Sequence, residues 1–525
     1  MAKEKAVKPV YEKHMSGKEI WAYGLGLFGI QMLVGLLNSY QAEFFNVAMH
    51  ANFALVGVLI LIAKVVSAAA DPFIGNLIDR SKNKRGKLKP FILYSSLPLL
   101  IITVLLFAPF TGLSGAGMYS YIFFMSLLWC IAMAIGDVPS QAIAAVMTPS
   151  NNERVNVVTF ANTLKSIGIA APAVVVPLIG AIVPGGAGFF DGETLIPTEY
   201  LVSAIVTAIL GCGLFLCIFF FSKERIPYKP EKMNLKDMFG VLKNNKYLLI
   251  VFISYFLGFG RQAAMGINLQ TARALLGDQG MILVLGLPSA IGTMVSMILT
   301  PVLIKKFDER KVYIGMSLYG LVISIVCFFV AFSLDFNLSP TTHTTNLIIM
   351  IPVLFAVGLQ FGAVNILPMI MVADSVDYYE HKTGKRTEGV SYAVLSLAFK
   401  VTLAMGTALA LIIVGLSGYD AVTPAGDITY STKLWVFVAY MIMPGVTSAL
   451  CAIPVFFYDF VGEKKNKILA ELKARRTEAE ASANLSDPAF AFDGTSDSYS
   501  GNTGGDDNYN SEPPVDNDAS DDGLN

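Results

Sequence analysis

The sequence predicts an all-α integral membrane protein of twelve transmembrane helices in two six-helix halves. Three observations predict it. Apolar residues make up 54% of the 525 residues and charged residues only 15%. Runs of ~20 or more apolar residues, long enough to cross the ~30 Å hydrocarbon layer, succeed one another along the first 460 residues. Basic residues collect in alternate connections, as in Asp79–Pro90 (DRSKNKRGKLKP), where six of the twelve are Lys or Arg. Length alone would suggest three soluble domains, but the apolar segments leave no room for them.

The runs fall at 19–46, 52–78, 90–109, 117–147, 156–183, 199–221, 247–275, 281–304, 312–333, 346–373, 388–417 and 432–460, numbered here as spans 1 to 12. The first is too long for a signal-peptide core and is expected to remain as a span. The positive-inside bias was not used to draw this map, so it tests it. Thirty-two of the 38 Lys and Arg lie in the N-terminus, in the connections after spans 2, 4, 6, 8 and 10, or after span 12. The connections 184–198 and 334–345 carry none. An even number of spans then puts both termini on the cytoplasmic side.

The organisation follows: a basic N-terminus (1–18), an N-terminal half (19–221), a central cytoplasmic connection (222–246), a C-terminal half (247–460), a charged segment (461–486) and an acidic tail (487–525). The tail has ten acidic residues and no Lys or Arg, a composition expected to be disordered. Two six-span halves rocking about a central cavity are the plan of the major facilitator superfamily. The net charge of −1 argues against nucleic acid as a partner, and the five cysteines all sit in apolar segments, as small core residues do. No P-loop, no Ser–His–acid cluster and no domain large enough for an enzyme stands out, so neither catalysis nor a cofactor is expected.

Ionisable side chains inside the bilayer cost about 2.5–3.5 kcal/mol on insertion scales and mark pathways or partners. The candidates are Glu43, Lys64, Asp71, Asp137, Lys165, Arg261 and Lys400. At ~1.5 Å per residue, Asp71, Asp137, Lys165, Arg261 and Lys400 lie roughly 12–21 Å from the cytoplasmic ends of their spans. Lys64, Ser67 and Asp71 share one stripe of span 2, where they form either a cation site or a static ion pair. Pro72 frees a backbone carbonyl beside them. Asp137, at the Gly136–Asp137–Val138–Pro139 break of span 4, reads as an acceptor for sugar hydroxyls or as a partner of Lys400 or Lys165. Glu43 and Arg273 read as interfacial, near the ends of their spans.

These residues resemble a known family, the glycoside-pentoside-hexuronide:cation symporters of the major facilitator superfamily. Asp71-Pro72-Phe73-Ile74-Gly75 with Asp79-Arg80 and Lys84-Arg85-Gly86-Lys87-Leu88-Lys89-Pro90 is similar to its loop between spans 2 and 3. The stretch from Ala373 to Gly389 (ADSVDYYEHKTGKRTEG) is similar to its loop between spans 10 and 11. Asp137-Val138-Pro139, Glu153-Arg154 and Lys400 resemble its features in spans 4, 5 and 11. The resemblance implies a coupling-cation site at Asp71, which the stripe reading extends to Lys64 and Ser67, and a sugar contact at Asp137. It also shows departures. Ser67 and Ala70 stand where further sodium ligands would be, so one carboxylate suits a proton. Gly29 stands near the place of a span 1 aspartate, with Gln31 the nearest polar substitute, and Lys165 follows the place of a missing span 5 arginine.

The resulting expectation is a multi-pass plasma-membrane symporter, monomeric, carrying a sugar or glycoside with a cation, proton in preference to sodium. Asp137, Gln31, Lys165 and Arg261 would hold substrate and Lys400 would tie the halves. Asp79, Arg80, Arg85, Asp374, Asp377, Lys385 and Arg386 would form a cytoplasmic gate. The alternatives are a carrier of a lipid or organic anion on the same fold, and a non-transporting membrane sensor.

Overall fold

The computed structural model describes residues 14–79, 86–110, 112–148, 150–186, 195–225, 235–339, 343–385 and 387–485. Arg80, Arg85, Arg386, the side chain of Asp79 and the acidic tail lie outside the described residues. The chain forms two units, Met1–Glu471 and Leu472–Asn525, and every span belongs to the first.

Among the described residues eleven helices are long and apolar enough to cross a membrane, and one bent pair brings the number to twelve. Spans 1 to 4 are Gly17–Met49, Phe53–Asp79, Lys89–Leu106 and Gly115–Ala142. Span 5 is broken into Asn151–Ala170 and Pro172–Gly180, where Pro172 has no N–H to continue the ladder. Span 6 is Pro197–Phe221. Span 7 joins Lys246–Leu257 to Ala263–Leu276 through a 51° bend, with Gly258 and Gly260 at the break. Spans 8 to 11 are Ile282–Phe307, Glu309–Ser333, Thr344–Thr383 and Glu388–Leu416, and span 12 is Tyr430–Val455.

Span 10 runs further at its C-terminal end than its apolar run predicts. The polar stretch 374–383 contains neither Gly nor Pro, so nothing stops the helix until Gly384 takes the left-handed cap conformation (φ 71°). The central connection also holds a short helix, Leu235–Asn244, which buries Met238 and Leu242. The start of span 1 is set by a capping box: Ser16 Oγ accepts from the Glu19 N–H while Glu19 accepts from the Ser16 N–H.

The two halves repeat one packing scheme. Span 1 lies against spans 5 and 6, span 4 against 2 and 3, and span 3 against 6; six spans later, 7 lies against 11 and 12, 10 against 8 and 9, and 9 against 12. Small residues let the backbones meet. A Cβ on Gly35 would lie 2.1 Å from the Ile169 carbonyl oxygen, and one on Gly168 would lie 2.4 Å from that of Phe28. Gly292 and Gly358 make the same reciprocal contact between spans 8 and 10.

Between the halves the symmetry fails. Span 2 packs along span 11, and span 1 against the outer part of span 7. The counterpart of the first pair, spans 5 and 8, meets through the outer segment of span 5, Pro172–Gly180.

Candidate functional site

Where span 2 follows span 11, Gly57 lies over the Ala408 carbonyl and Gly415 over Ala54, and this proximity brings charged side chains from opposite halves together. Lys400 Nζ is hydrogen-bonded and ion-paired to Asp71 Oδ2. The side chains are 34% and 21% exposed. The other carboxylate oxygen, Oδ1, is buried without a hydrogen-bond partner among the described residues. Lys64 shares the stripe but does not pair with Asp71; its ammonium reaches Asn38 Oδ1 of span 1 at 3.2 Å. It lines a cleft with Gln41, Gly266 and Thr407 that has room for little more than one water molecule. Ser67 is buried one turn above Asp71.

Asp137 is half-buried and accepts from Gln141 Nε2 at 2.9 Å. Neither lysine proposed as its partner pairs with it, and Lys400 is taken by Asp71. Gln31 is buried on span 1, and Lys165 is half-buried on span 5. Gly29 is not a vacated sugar position: a Cβ there would lie 2.4 Å from the Gly211 carbonyl oxygen, so it faces span 6 and has no room for a carboxylate. Arg261 is engaged within the C-terminal half, donating to the Gly258 and Val364 carbonyls and lying over the Tyr255 ring. That geometry staples the bend of span 7 to span 10.

One feature was missed from the sequence. Asn156, Thr159, Asn162, Thr163 and Ser166 are all exposed and fall on one face of the first segment of span 5. The opposite face, with Val157, Ala161 and Gly168, is buried against span 1. Five polar side chains on one face would be poorly placed against lipid. The i, i+3, i+7 spacing of uncharged polar residues was the available signal; attention to charge alone passed over it.

Two residues read as interfacial are deeply buried. Glu43 is 0% and Arg273 1% exposed. Glu43 accepts from Gln270 Nε2 at 2.7 Å and from the Tyr419 hydroxyl at 3.1 Å, and Arg273 Nη1 stands 4.0 Å away. Position near a span end implied solvent, but the outer ends of the two halves cover each other here.

Of the residues expected to form a gate, the side chains of Asp374, Asp377 and Lys385 are described. Asp374 is paired at 2.7 Å with Lys465, in the segment after span 12, and Lys465 also holds Glu309 at 2.7 Å. Among the described residues, the cation that pairs with Asp374 comes from the C-terminal segment. Asp377 is half-buried and Lys385 exposed.

Residues 22–461 match the model of a family described as MFS/sugar transport protein. The chain belongs to that family. It is 24% identical over 487 residues to an isoprimeverose transporter of Lactiplantibacillus pentosus, covering 90% of this chain and 95% of the relative. It is 26% identical to a glucuronide carrier protein homolog of Escherichia coli (88% and 97% covered) and 24% identical to a raffinose carrier protein of Pediococcus pentosaceus (86% and 70% covered). Among solved structures it resembles the nucleoside transporter NupG (TM-score 0.57, 15% identity, 85% and 100% covered). It also resembles a bacterial Spinster homologue in an inward-facing state (TM-score 0.54, 13% identity, 84% and 96% covered). These two likenesses carry the fold alone, and it is the major facilitator fold.

Proposed function

We propose that this member of the family is a plasma-membrane symporter that couples a sugar or glycoside to a cation, and that the cation is a proton. The named relatives carry isoprimeverose and raffinose or are related to a glucuronide carrier, which supports the substrate class. The basic connections support cytoplasmic termini.

The Asp71–Lys400 pair carries the choice of ion. A sodium ion needs several hard oxygen donors around it, whereas Asp71 has an ammonium on one oxygen and, among the described residues, no partner on the other. A proton added to Asp71 removes the charge that holds Lys400, and the partly exposed Lys400 finds water instead. That loosens the tie between spans 2 and 11, so protonation acts directly on the packing of the halves. Ion and sugar are then coupled because both favour the same arrangement of the halves.

Uptake of radiolabelled glycosides into vesicles tests this. An imposed inward proton gradient is expected to drive accumulation, and a sodium gradient at fixed pH and potential to have little effect. Strong sodium stimulation would overturn the proton reading.

Asp137 and the polar stripe of span 5 are the proposed sugar contacts. A carboxylate accepting hydroxyl hydrogen bonds contributes about 1.5–3 kcal/mol, so Asp137→Ala is expected to weaken substrate binding by roughly 10- to 100-fold. Binding measured on purified protein of matched thermal stability checks this. Unchanged affinity removes Asp137 from the site.

A further inference from the structure

The buried cluster at the outer end joins the halves through five side chains. From span 1, Glu43 accepts from Gln270 and Tyr419 and faces Arg273, while Asn46 Oδ1 accepts from the Ala421 N–H at 2.8 Å. Arg273 donates in turn to the carbonyls of Ala421 and, at 2.6 Å, Thr423 in the connection between spans 11 and 12. Gln270 is 0% exposed and Tyr419 5%. The cleft of Lys64, Gln41 and Leu37 lies directly beneath, toward the membrane centre.

A buried charge pair is tolerable only while its partners are all in place, and half-separation leaves charges in a poorly solvated interior. Full separation, by contrast, lets external water solvate both sides. The cluster therefore has two acceptable states and none between, as a switch requires. The segment that carries Gln270 and Arg273 is also built to move. It is joined to the rest of span 7 by the 51° bend, and Ile267 within it has non-helical backbone angles (φ −129°, ψ 16°).

We propose that Glu43, Asn46, Gln270, Arg273 and Tyr419 form the outer gate of the transporter, which closes the central cavity to the outside and must come apart once in every cycle. These residues hold the halves in position and do not touch substrate. The inference rests on the symport reading, since only a carrier has to open on this side.

Two measurements test it. In the Asn46→Cys, Ala421→Cys double variant, oxidation is expected to cross-link the halves and cut uptake at least tenfold, with recovery on reduction; each single variant should be unaffected by oxidant. In the second, Leu37→Cys reports from beneath the gate. Its labelling by a membrane-impermeant maleimide added outside, above the background of the native cysteines, is expected to rise at least threefold when Glu43→Gln is added. A cross-link that leaves uptake unchanged, a pair that does not oxidise, or labelling that does not rise overturns the gate. The labelling needs no substrate, so it reads the gate even if every glycoside fails to be taken up, a result that would instead count against the function.

Discussion

Asp71→Asn is expected to abolish uphill accumulation, with substrate reaching the same concentration on both sides of the membrane. The amide fills the same space but neither takes up a proton nor holds Lys400 as a counter-ion. One proton moving through 100 mV supplies about 2.3 kcal/mol, enough for a roughly 50-fold gradient, and the variant forfeits all of it. Exchange of labelled for unlabelled sugar should persist, because the halves still pack along spans 2 and 11 and Lys400 is a third exposed. Accumulation ratios in energised vesicles, set beside exchange rates in de-energised ones, separate these outcomes. A variant that still concentrates substrate to the wild-type level removes Asp71 from coupling.

The largest effect on folding is expected from Gly35→Val. A Cβ at this position would lie 2.1 Å from the Ile169 carbonyl oxygen and 3.1 Å from its Cα, so the obstacle is backbone and no side chain can turn aside. Spans 1 and 5 would have to separate, and with them the reciprocal contact of Gly168 on Phe28. Overpacking of a fitted interface costs about 1–3 kcal/mol even where side chains can yield, and here the cost should be greater. The yield of monodisperse protein in detergent is expected to fall severely. Gly213→Val, whose Cβ meets nothing within 4 Å, should leave it nearly unchanged. Equal yields for the two variants would deny the close approach of the spans.

Much of the architecture was legible in the sequence because the membrane imposes local rules. Span number and approximate boundaries follow from apolar run length, a property of neighbouring residues. The boundary that moved furthest, the C-terminal end of span 10, moved because helix propensity outlasts hydrophobicity between Asp374 and Thr383. The ionisable residues worth attention were legible for the same reason, since charge at mid-depth is costly wherever it occurs.

Partnership was not legible. Lys64 and Asp71 share a stripe of one helix, yet Asp71 is held by a lysine 329 positions away and Lys64 by an asparagine of span 1. Glu43 and Arg273 sit near span ends, where a single helix would meet water. They are buried because span 1 closes on span 7 and on the connection after span 11, residues 227 and 376 positions distant from Glu43. Gly29 looked like a vacated ligand position until span 6 was seen to fill the space before it. The sequence by itself determined how many helices are long and apolar enough to cross and which charges lie far from their ends, because hydropathy and helical period act over a few turns. Only the tertiary structure decided which charge faces which, since an ion pair between spans depends on the packing of whole helices and the energy of each group on what the other half brings to it.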